Sequence, residues 1–140
     1  MKTKADFKWR NDFSVGIDKI DKQHKRLLKM LEGLPRLLLM EEEERLKAFK
    51  LILLKIVEYL QFHFFTEERL MQDINYPGFE EHKNHHIEIF KKIYVLAHEA
   101  DDIDSVAMKN TIEFLSEWYR MHFLSMDKYM GDYFVQGGVT

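Results

Sequence analysis

The chain has 140 residues, of which 46% are hydrophobic and 32% charged, and its formal net charge is −3 at pH 7. This composition is typical of one globular domain rather than a disordered segment. It also argues against a nucleic-acid partner, because proteins that bind nucleic acids usually carry a concentrated basic face. The chain has no cysteine, so disulfides, thiolate catalysis and iron–sulfur clusters are excluded and a metal would need His, Asp, Glu or backbone ligands.

Residues 1–16 are predicted to form an irregular arm. Phe7, Trp9 and Phe13 are apolar anchors in this otherwise polar segment, and we expect them to tie the arm to the domain because they would lose burial energy in water. The arm lacks the apolar stretch of a signal peptide, and no apolar run in the chain is long enough to span a bilayer. We therefore expect a cytoplasmic protein without a membrane partner.

Apolar residues then recur every three or four positions in four successive segments, which is the pattern of amphipathic helices. The stripes run from Ile17 to Leu38, from Phe49 to Leu70, from Phe79 to Leu96 and from Met108 to Tyr129. Gly33 and Pro35 predict a kink or an early end in the first helix. Asp104 or Ser105 is the expected N-cap of the fourth.

Short connections between helices of similar length require sequential neighbours to run antiparallel. We therefore predict an all-α fold, an up-down-up-down antiparallel four-helix bundle with an irregular N-terminal arm. The bundle is expected over residues 17–131, between the arm and a short C-terminal tail. Residues 1–140 are expected to form a single domain.

Six polar residues interrupt the apolar stripes at positions where the helical period requires a core residue. They are His24, His63, Glu67, His82, His86 and His122. Burial of one unpaired imidazole or carboxylate costs several kcal/mol, and burial of six is plausible only if they share a partner. Imidazoles and carboxylates together form a typical ligand set for first-row transition metals.

The spacing of these residues supports convergence on one point. His63 and Glu67 are four residues apart, as are His82 and His86, so the members of each pair project from one helix face. Asp127 follows His122 by five residues, which is about 140° around an ideal α-helix. Geometry alone therefore does not nominate Asp127 unless the helix is locally distorted.

Other metal sites fit the sequence less well. A ferritin-like di-iron site requires Glu-x-x-His motifs and a zincin requires His-Glu-x-x-His, and the chain contains neither. Five imidazoles and a glutamate also exceed the needs of one four-coordinate zinc ion. A dinuclear site is the better interpretation.

The order and spacing of these residues resemble the bacterial hemerythrins from about residue 7 to residue 130. The matching segments are Trp9, Ser14-Val15-Gly16-Ile17, Ile20 to His24, His63-Phe64-x-x-Glu67, Met71, Tyr76-Pro77, His82-x-x-x-His86, Phe90 and Trp118-x-x-x-His122-x-x-x-x-Asp127. The resemblance implies a non-haem di-iron centre that binds dioxygen. It also nominates Asp127, which helix geometry did not.

The resemblance further implies a role for each ligand. One iron ion would be held by His82, His86 and His122, and the other by His24 and His63. Two carboxylates, Glu67 and Asp127, would bridge the ions together with an oxo or hydroxo group. The iron with two histidines would keep an open position for dioxygen.

One position departs from the family pattern, which usually has Leu three residues before the last histidine. This chain has Tyr119 there, one turn from His122 and on the same side of the helix. Its ring is predicted to line the oxygen pocket, where the hydroxyl could hydrogen-bond the bound ligand or a water. The alternative is that the ring only packs in the core and the hydroxyl binds a backbone group.

The predicted function is reversible dioxygen binding for storage, delivery or scavenging, rather than enzymatic catalysis. One alternative is an oxygen or redox sensor that acts through a separate partner protein. Another is a di-iron enzyme that consumes peroxide or nitric oxide. Dioxygen is the expected ligand, and a reductase or an oxygen-consuming protein is the expected partner.

Overall fold

The computed structural model describes residues 2–137, which form helices and connecting turns without a β-strand. The architecture is the predicted up-down-up-down four-helix bundle, preceded by an arm with one 3₁₀ turn. The α-helices are α1 (Asp18–Leu31), α2 (Gly33–Leu37), α3 (Glu42–Asp73), α4 (Phe79–His98), α5 (Ser105–His122) and α6 (Lys128–Gln136). The four rods of the bundle are α1 with its extension α2, then α3, α4, and α5 continued by α6.

The predicted break in the first helix and the predicted N-cap of the fourth helix are confirmed. The first rod breaks between Leu31 and Gly33, with Pro35 inside the short α2. At the start of α5, the side chain of Asp104 accepts a hydrogen bond of 2.8 Å from the backbone N–H of Ala107. This contact satisfies one of the backbone donors that every helix leaves free in its first turn.

The interior of the bundle contains two clusters of buried apolar residues. The smaller cluster consists of Val15, Ile17, Ile20, Met71, Met130 and Phe134. The larger cluster includes Phe7, Phe13, Leu27, Leu31, Phe49, Leu53, Ile56, Leu60, Phe64, Ile89, Ile93, Met108, Ile112, Leu115, Tyr119 and Phe123. The presence of Phe7 and Phe13 in the larger cluster confirms that the arm is anchored by its aromatic residues.

The polar residues of the stripes fall between the two clusters. On α1, His24 lies between Ile20 of the smaller cluster and Leu27 of the larger one. On α3, Glu67 lies in the same way between Phe64 and Met71. Apolar packing therefore encloses the polar group from both ends of the bundle.

The end of the bundle lies further along the chain than we expected. The sequence suggested a limit near residue 131, but α6 continues to Gln136. Met130 and Phe134 lie four residues apart on one face, and both are fully buried in the smaller cluster. Most of the expected tail is therefore part of the last helix, and its final residues 138–140 lie outside the described residues. None of the helices within residues 2–137 has the length and apolar character needed to cross a membrane.

Candidate metal centre

Seven histidine, glutamate and aspartate side chains converge in the bundle interior. Each of them is at most 6% exposed to solvent. They are His24, His63, Glu67, His82, His86, His122 and Asp127. The structure thus brings together all seven residues that the sequence analysis named as metal ligands.

Four rods of the bundle contribute to this group. His24 comes from α1, His82 and His86 come from successive turns of α4, and His122 comes from the end of α5. The pair His63 and Glu67 from α3 uses the same four-residue spacing. Since four residues bring an α-helix back to within about 40° of its starting direction, both members of each pair face the interior.

The donor atoms form two groups that share both carboxylates. In each group, all donor atoms lie within 4.8 Å of one another. The first group contains Glu67, His82, His86, His122 and Asp127, and the second contains His24, His63, Glu67 and Asp127. This is a three-histidine group beside a two-histidine group.

Each carboxylate points one oxygen toward each group. For Glu67, Oε1 is 3.1 Å from Nε2 of His86, whereas Oε2 is 3.4 Å from Nε2 of His24. For Asp127, Oδ1 is 3.0 Å from Nε2 of His122, and Oδ2 is 3.1 Å from Nε2 of His24. This divergent arrangement of oxygens is what a carboxylate needs to contact two metal ions at once.

The buried donor atoms lack ordinary hydrogen-bond partners. Within residues 2–137, both oxygens of Glu67 and of Asp127 are buried without one. The same holds for the Nε2 atoms of His24, His82, His86 and His122. Unsatisfied buried polar atoms are costly, and one cation in each donor group would satisfy these atoms. Imidazole nitrogens with carboxylate oxygens also suit iron, so the residues present fit a metal pair.

A local change of helix type brings Asp127 into the site. Residues Phe123–Asp127 form one turn of π-helix between α5 and α6. In a π-helix the hydrogen bonds join residues five apart, so residues with that spacing lie closer to the same side of the helix than they do in an α-helix. Asp127 therefore projects on the same side as His122, as its Oδ1 contact with that histidine shows. This is the local distortion that the five-residue spacing required.

The carboxylates change the proton affinity of the imidazoles beside them. Burial alone lowers the pKa of His24, but the contacts with Asp127 and Glu67 outweigh it and raise this pKa to about 9. Burial likewise lowers the pKa of His86, whereas Glu67 and Glu68 raise it to about 9. At neutral pH the metal-free site therefore holds protons on imidazoles that a metal ion must displace.

The two carboxylic acids shift in the opposite direction. Burial raises the pKa of each, and repulsion from Asp127 also raises that of Glu67, but the neighbouring histidines prevail and hold both values well below the usual range. For Glu67 the opposing contacts come from His63 and His24, and for Asp127 they come chiefly from His122. Both acids are thus ionised at neutral pH and available as ligands.

Two residues that sequence reasoning missed contact the outer nitrogens of the imidazoles. Gln23 Oε1 lies 2.7 Å from Nδ1 of His63. Glu68 Oε2 lies 3.0 Å from Nδ1 of His86. Both lie directly beside ligand candidates in the chain and off the predicted interior stripe, so helical periodicity did not reveal them.

Aromatic rings cover the faces of three imidazoles. The ring of Phe123 stacks on His24 with centroids 3.9 Å apart, and that of Phe64 stacks on His86 at 3.8 Å. Trp118 is stacked on His122 at 5.3 Å. These rings surround the polar group with apolar surface and restrict the orientation of the imidazoles.

Tyr119 is fully buried in the larger cluster, and its hydroxyl binds a backbone group, as the alternative interpretation expected, rather than facing the oxygen pocket. The hydroxyl donates a hydrogen bond to the backbone carbonyl of Asp6 in the arm. Its ring makes edge contacts with Phe13 and Phe123, the latter being the residue that stacks on His24. The single hydroxyl proton is therefore already used, whereas a role of the ring in lining an oxygen pocket stays a prediction.

Five imidazoles and two carboxylates buried inside a four-helix bundle are typical of bundle proteins that bind metal ions through histidine and carboxylate ligands. Comparison with known families narrows this class. Residues 15–134 match the model described as "Hemerythrin HHE cation binding domain". The chain belongs to the hemerythrin family.

Individual relatives show similarity over most of the chain. It is 29% identical over 124 residues to a bacteriohemerythrin of Clostridium acetobutylicum, covering 87% of this chain and 96% of the relative. It is 30% identical over 126 residues to a bacteriohemerythrin of Stenotrophomonas maltophilia, with coverages of 89% and 78%. A myohemerythrin of Riftia pachyptila is 30% identical over 125 residues, with coverages of 89% and 91%.

Proposed function

We propose that this protein binds dioxygen reversibly at a carboxylate-bridged non-haem di-iron centre, for oxygen storage, delivery or scavenging. The observation that carries the proposal is the pair of buried donor groups that share Glu67 and Asp127. Membership of the hemerythrin family and the similarity to bacteriohemerythrins and a myohemerythrin support it.

In this proposal His82, His86 and His122 hold one iron ion, and His24 and His63 hold the other. Glu67 and Asp127 bridge the two ions, together with an oxo or hydroxo group. The iron pair, when bound, supplies the reversible electron donation that dioxygen binding requires. The smaller donor group includes only two histidines, so dioxygen is expected to bind on that side.

The surrounding residues suit reversible binding because they keep the site dry. Phe123 and Phe64 cover imidazole faces, and Phe123 is backed by the rings of Phe13 and Tyr119. We propose that Tyr119 contributes to the oxygen pocket through this ring rather than through its hydroxyl. Exclusion of water limits proton transfer to a bound oxygen ligand and hence irreversible oxidation of the site.

An optical experiment tests the function directly. The protein is loaded with ferrous iron under anaerobic conditions, and its absorption spectrum is recorded before and after exposure to air and after removal of the oxygen. We expect a ligand-to-iron charge-transfer band that appears with oxygen and disappears without it. A spectrum that does not respond to oxygen, or that recovers only after a reductant is added, would contradict reversible binding.

A pair of variants on α4 supplies the matched control. His86→Ala removes a buried ligand, whereas His98→Ala changes an exposed histidine on the same helix. The oxygen-dependent band should be lost in the first variant and retained in the second. Loss of the band in both variants, or in neither, would contradict the assigned ligand set.

We propose a carrier rather than an enzyme, and a reductase as the partner that returns oxidised iron to the ferrous state. Turnover assays with peroxide and with nitric oxide under anaerobic conditions distinguish these roles. A carrier is expected to consume no more than one equivalent per di-iron site. Sustained multiple turnovers would identify a di-iron enzyme instead.

A further inference from the structure

Two of the imidazoles have a side-chain partner at their outer nitrogen, and these two partners are chemically unequal. Nδ1 of His86 is 3.0 Å from a carboxylate oxygen of Glu68, whereas Nδ1 of His63 is 2.7 Å from the amide oxygen of Gln23. Within residues 2–137, Nδ1 of His24 and of His82 is buried without a hydrogen-bond partner. One imidazole in each donor group is therefore held by a side chain, but the acceptors differ in charge.

This difference affects how strongly each imidazole donates to a metal. An imidazole that binds a metal through Nε2 carries its proton on Nδ1, and an acceptor there fixes the tautomer and the ring orientation. A carboxylate accepts this hydrogen bond more strongly than a neutral amide does. Its negative charge also makes the imidazole a more basic ligand.

The surroundings of His86 hold it in this orientation from two directions. Glu68 contacts its edge, while the ring of Phe64 lies against its face with an interplanar angle of 7°. Glu68 belongs to α3 and His86 to α4, so the contact also fixes these helices relative to each other. The carboxylate of Glu68 remains 23% exposed, which lowers the cost of keeping it ionised.

We propose that Glu68 is a positioning residue for His86 and makes the three-histidine group the tighter of the two metal positions. Gln23 is its neutral counterpart for His63 in the two-histidine group. The inference rests on the ligand roles of these histidines given under the proposed function. It predicts that the two positions differ in metal affinity, and that the more weakly bound ion lies on the side where dioxygen is expected to bind.

The test uses Zn²⁺ alone as the probe, because zinc is diamagnetic and does not react with dioxygen. Wild-type protein and variants are titrated with Zn²⁺ in competition with a chromophoric chelator. The wild-type chain should bind two ions with different dissociation constants. Glu68→Ala should weaken the tighter of the two binding steps by about 10- to 100-fold. Glu68→Gln should weaken it less, because an amide oxygen can still accept a hydrogen bond from His86.

Glu88→Gln is the matched control, because it removes the same charge from an exposed position of α4. It should leave both dissociation constants unchanged. Equal dissociation constants for Glu68→Ala and Glu88→Gln would overturn the proposal. A wild-type chain that binds the two ions with equal affinity would overturn it as well.

A gain of affinity separates ligand positioning from a structural role. Gln23→Glu places a carboxylate beside His63, and it should tighten the weaker binding step about tenfold. In the zinc-loaded protein, the ¹⁵N shift of His63 Nδ1 should then move toward that of His86 Nδ1. Unchanged affinity and an unchanged ¹⁵N shift in this variant would contradict the role of the carboxylate.

The outcome is independent of whether the protein binds dioxygen, since the titration contains no iron. An effect of Glu68 in a protein whose iron form does not bind oxygen reversibly would leave this inference intact and reject the proposed function. Reversible oxygen binding in a protein whose zinc affinity does not change with Glu68→Ala would support the proposed function and reject this inference.

Discussion

At the scale of single residues, the site depends on two carboxylates that are fully buried among imidazoles. Glu67 and Asp127 each have one oxygen near each donor group. A buried ion without a partner would cost several kcal/mol, so these side chains tolerate burial only while cations or protonated imidazoles surround them. Their charge therefore controls both metal binding and the protonation of the neighbouring histidines.

Removal of the charge of Glu67 should disrupt both metal positions at once. Glu67→Gln keeps the size of the side chain but replaces a charged ligand shared by both donor groups with a neutral amide. We expect fewer than two iron ions per chain after dialysis against a weak chelator, measured by elemental analysis. Glu58→Gln, at an exposed position of the same helix, should retain two, and equal metal contents in the two variants would contradict the shared role of Glu67.

The histidines predict that the metal-free protein becomes less stable as the pH rises above neutrality. The pKa values of His24 and His86 are about 9 in the metal-free fold, above the value of about 6.5 expected in an unfolded chain. Between these two values the native protein binds more protons than the unfolded chain, so the free energy of unfolding falls as pH rises. The pKa of His122 is lowered in the fold. A lowered pKa makes stability depend on pH only below the unfolded value of about 6.5, so His122 does not alter this trend.

Thermal unfolding measured from pH 6.5 to 9 tests whether stability falls as the pH rises. The Tm of the metal-free protein should fall across the window, whereas the difference in Tm between loaded and metal-free protein should grow, because fewer protons must be displaced by the metal. A metal-free Tm that rises with pH in this range would contradict the assigned proton affinities.

At the scale of elements, the N-terminal arm is part of the wall of the site. The backbone N–H of Asp6 donates to Ser116 Oγ, and its carbonyl accepts from the hydroxyl groups of Ser116 and Tyr119. Phe13 packs edge-on against Phe123, which in turn stacks on His24. The arm thus reaches the two-histidine group through one intervening ring.

Truncation of Phe13 tests the contribution of the arm to stability. Phe13 is fully buried, so Phe13→Ala should lower the free energy of unfolding by about 3–5 kcal/mol, measured by urea denaturation. Phe62 is 54% exposed, and Phe62→Ala should change it by less than about 0.5 kcal/mol. A loss for Phe13→Ala no larger than that of the Phe62 variant would show that the arm does not close this end of the core.

Two substitutions at Tyr119 separate its ring from its hydroxyl. Tyr119→Phe removes only the bond to Asp6 and should cost about 1 kcal/mol of stability, with the oxygen off-rate and the decay rate of the oxy form unchanged. Tyr119→Leu removes the ring behind Phe123 and should accelerate that decay. Faster decay in the Tyr119→Phe variant would show that the hydroxyl stabilises the oxy form. Equal decay rates in Tyr119→Leu and wild type would show that the ring does not contribute to the oxygen pocket.

The elements that follow helical periodicity were predictable, and those that depart from it were not. The four rods, the break at Gly33 and the cap at Asp104 follow from local sequence rules. The π-turn does not, because no residue type in Phe123–Asp127 marks a change of helix class. Only the resemblance to hemerythrins placed Asp127 in the site, and the turn supplies the geometric reason.

Contacts between distant parts of the chain were also beyond sequence reasoning. The partner of the Tyr119 hydroxyl lies 113 residues away in an irregular segment, and no periodic pattern specifies it. Glu68 and Gln23 lie beside the interior stripe, where polar residues are usually read as solvent-exposed. Their roles emerge only when the neighbouring helix is in place.

At the scale of the whole molecule, the bundle encloses a polar centre between two apolar clusters. Packing at both ends holds the four rods together, while the buried donor atoms between them lack hydrogen-bond partners within the described chain. A group that binds only the folded state stabilises it by mass action. Metal binding and the stability of the bundle are therefore linked.

The number of iron ions per folded chain shows whether the two donor groups hold a metal pair. The protein, reconstituted anaerobically with ferrous iron and freed of unbound metal, is analysed for iron per chain while circular dichroism reports its fold. We expect two iron ions per chain in wild type and fewer than two when His86 or Glu67 is replaced. A correctly folded wild-type protein that never retains two ions would contradict it.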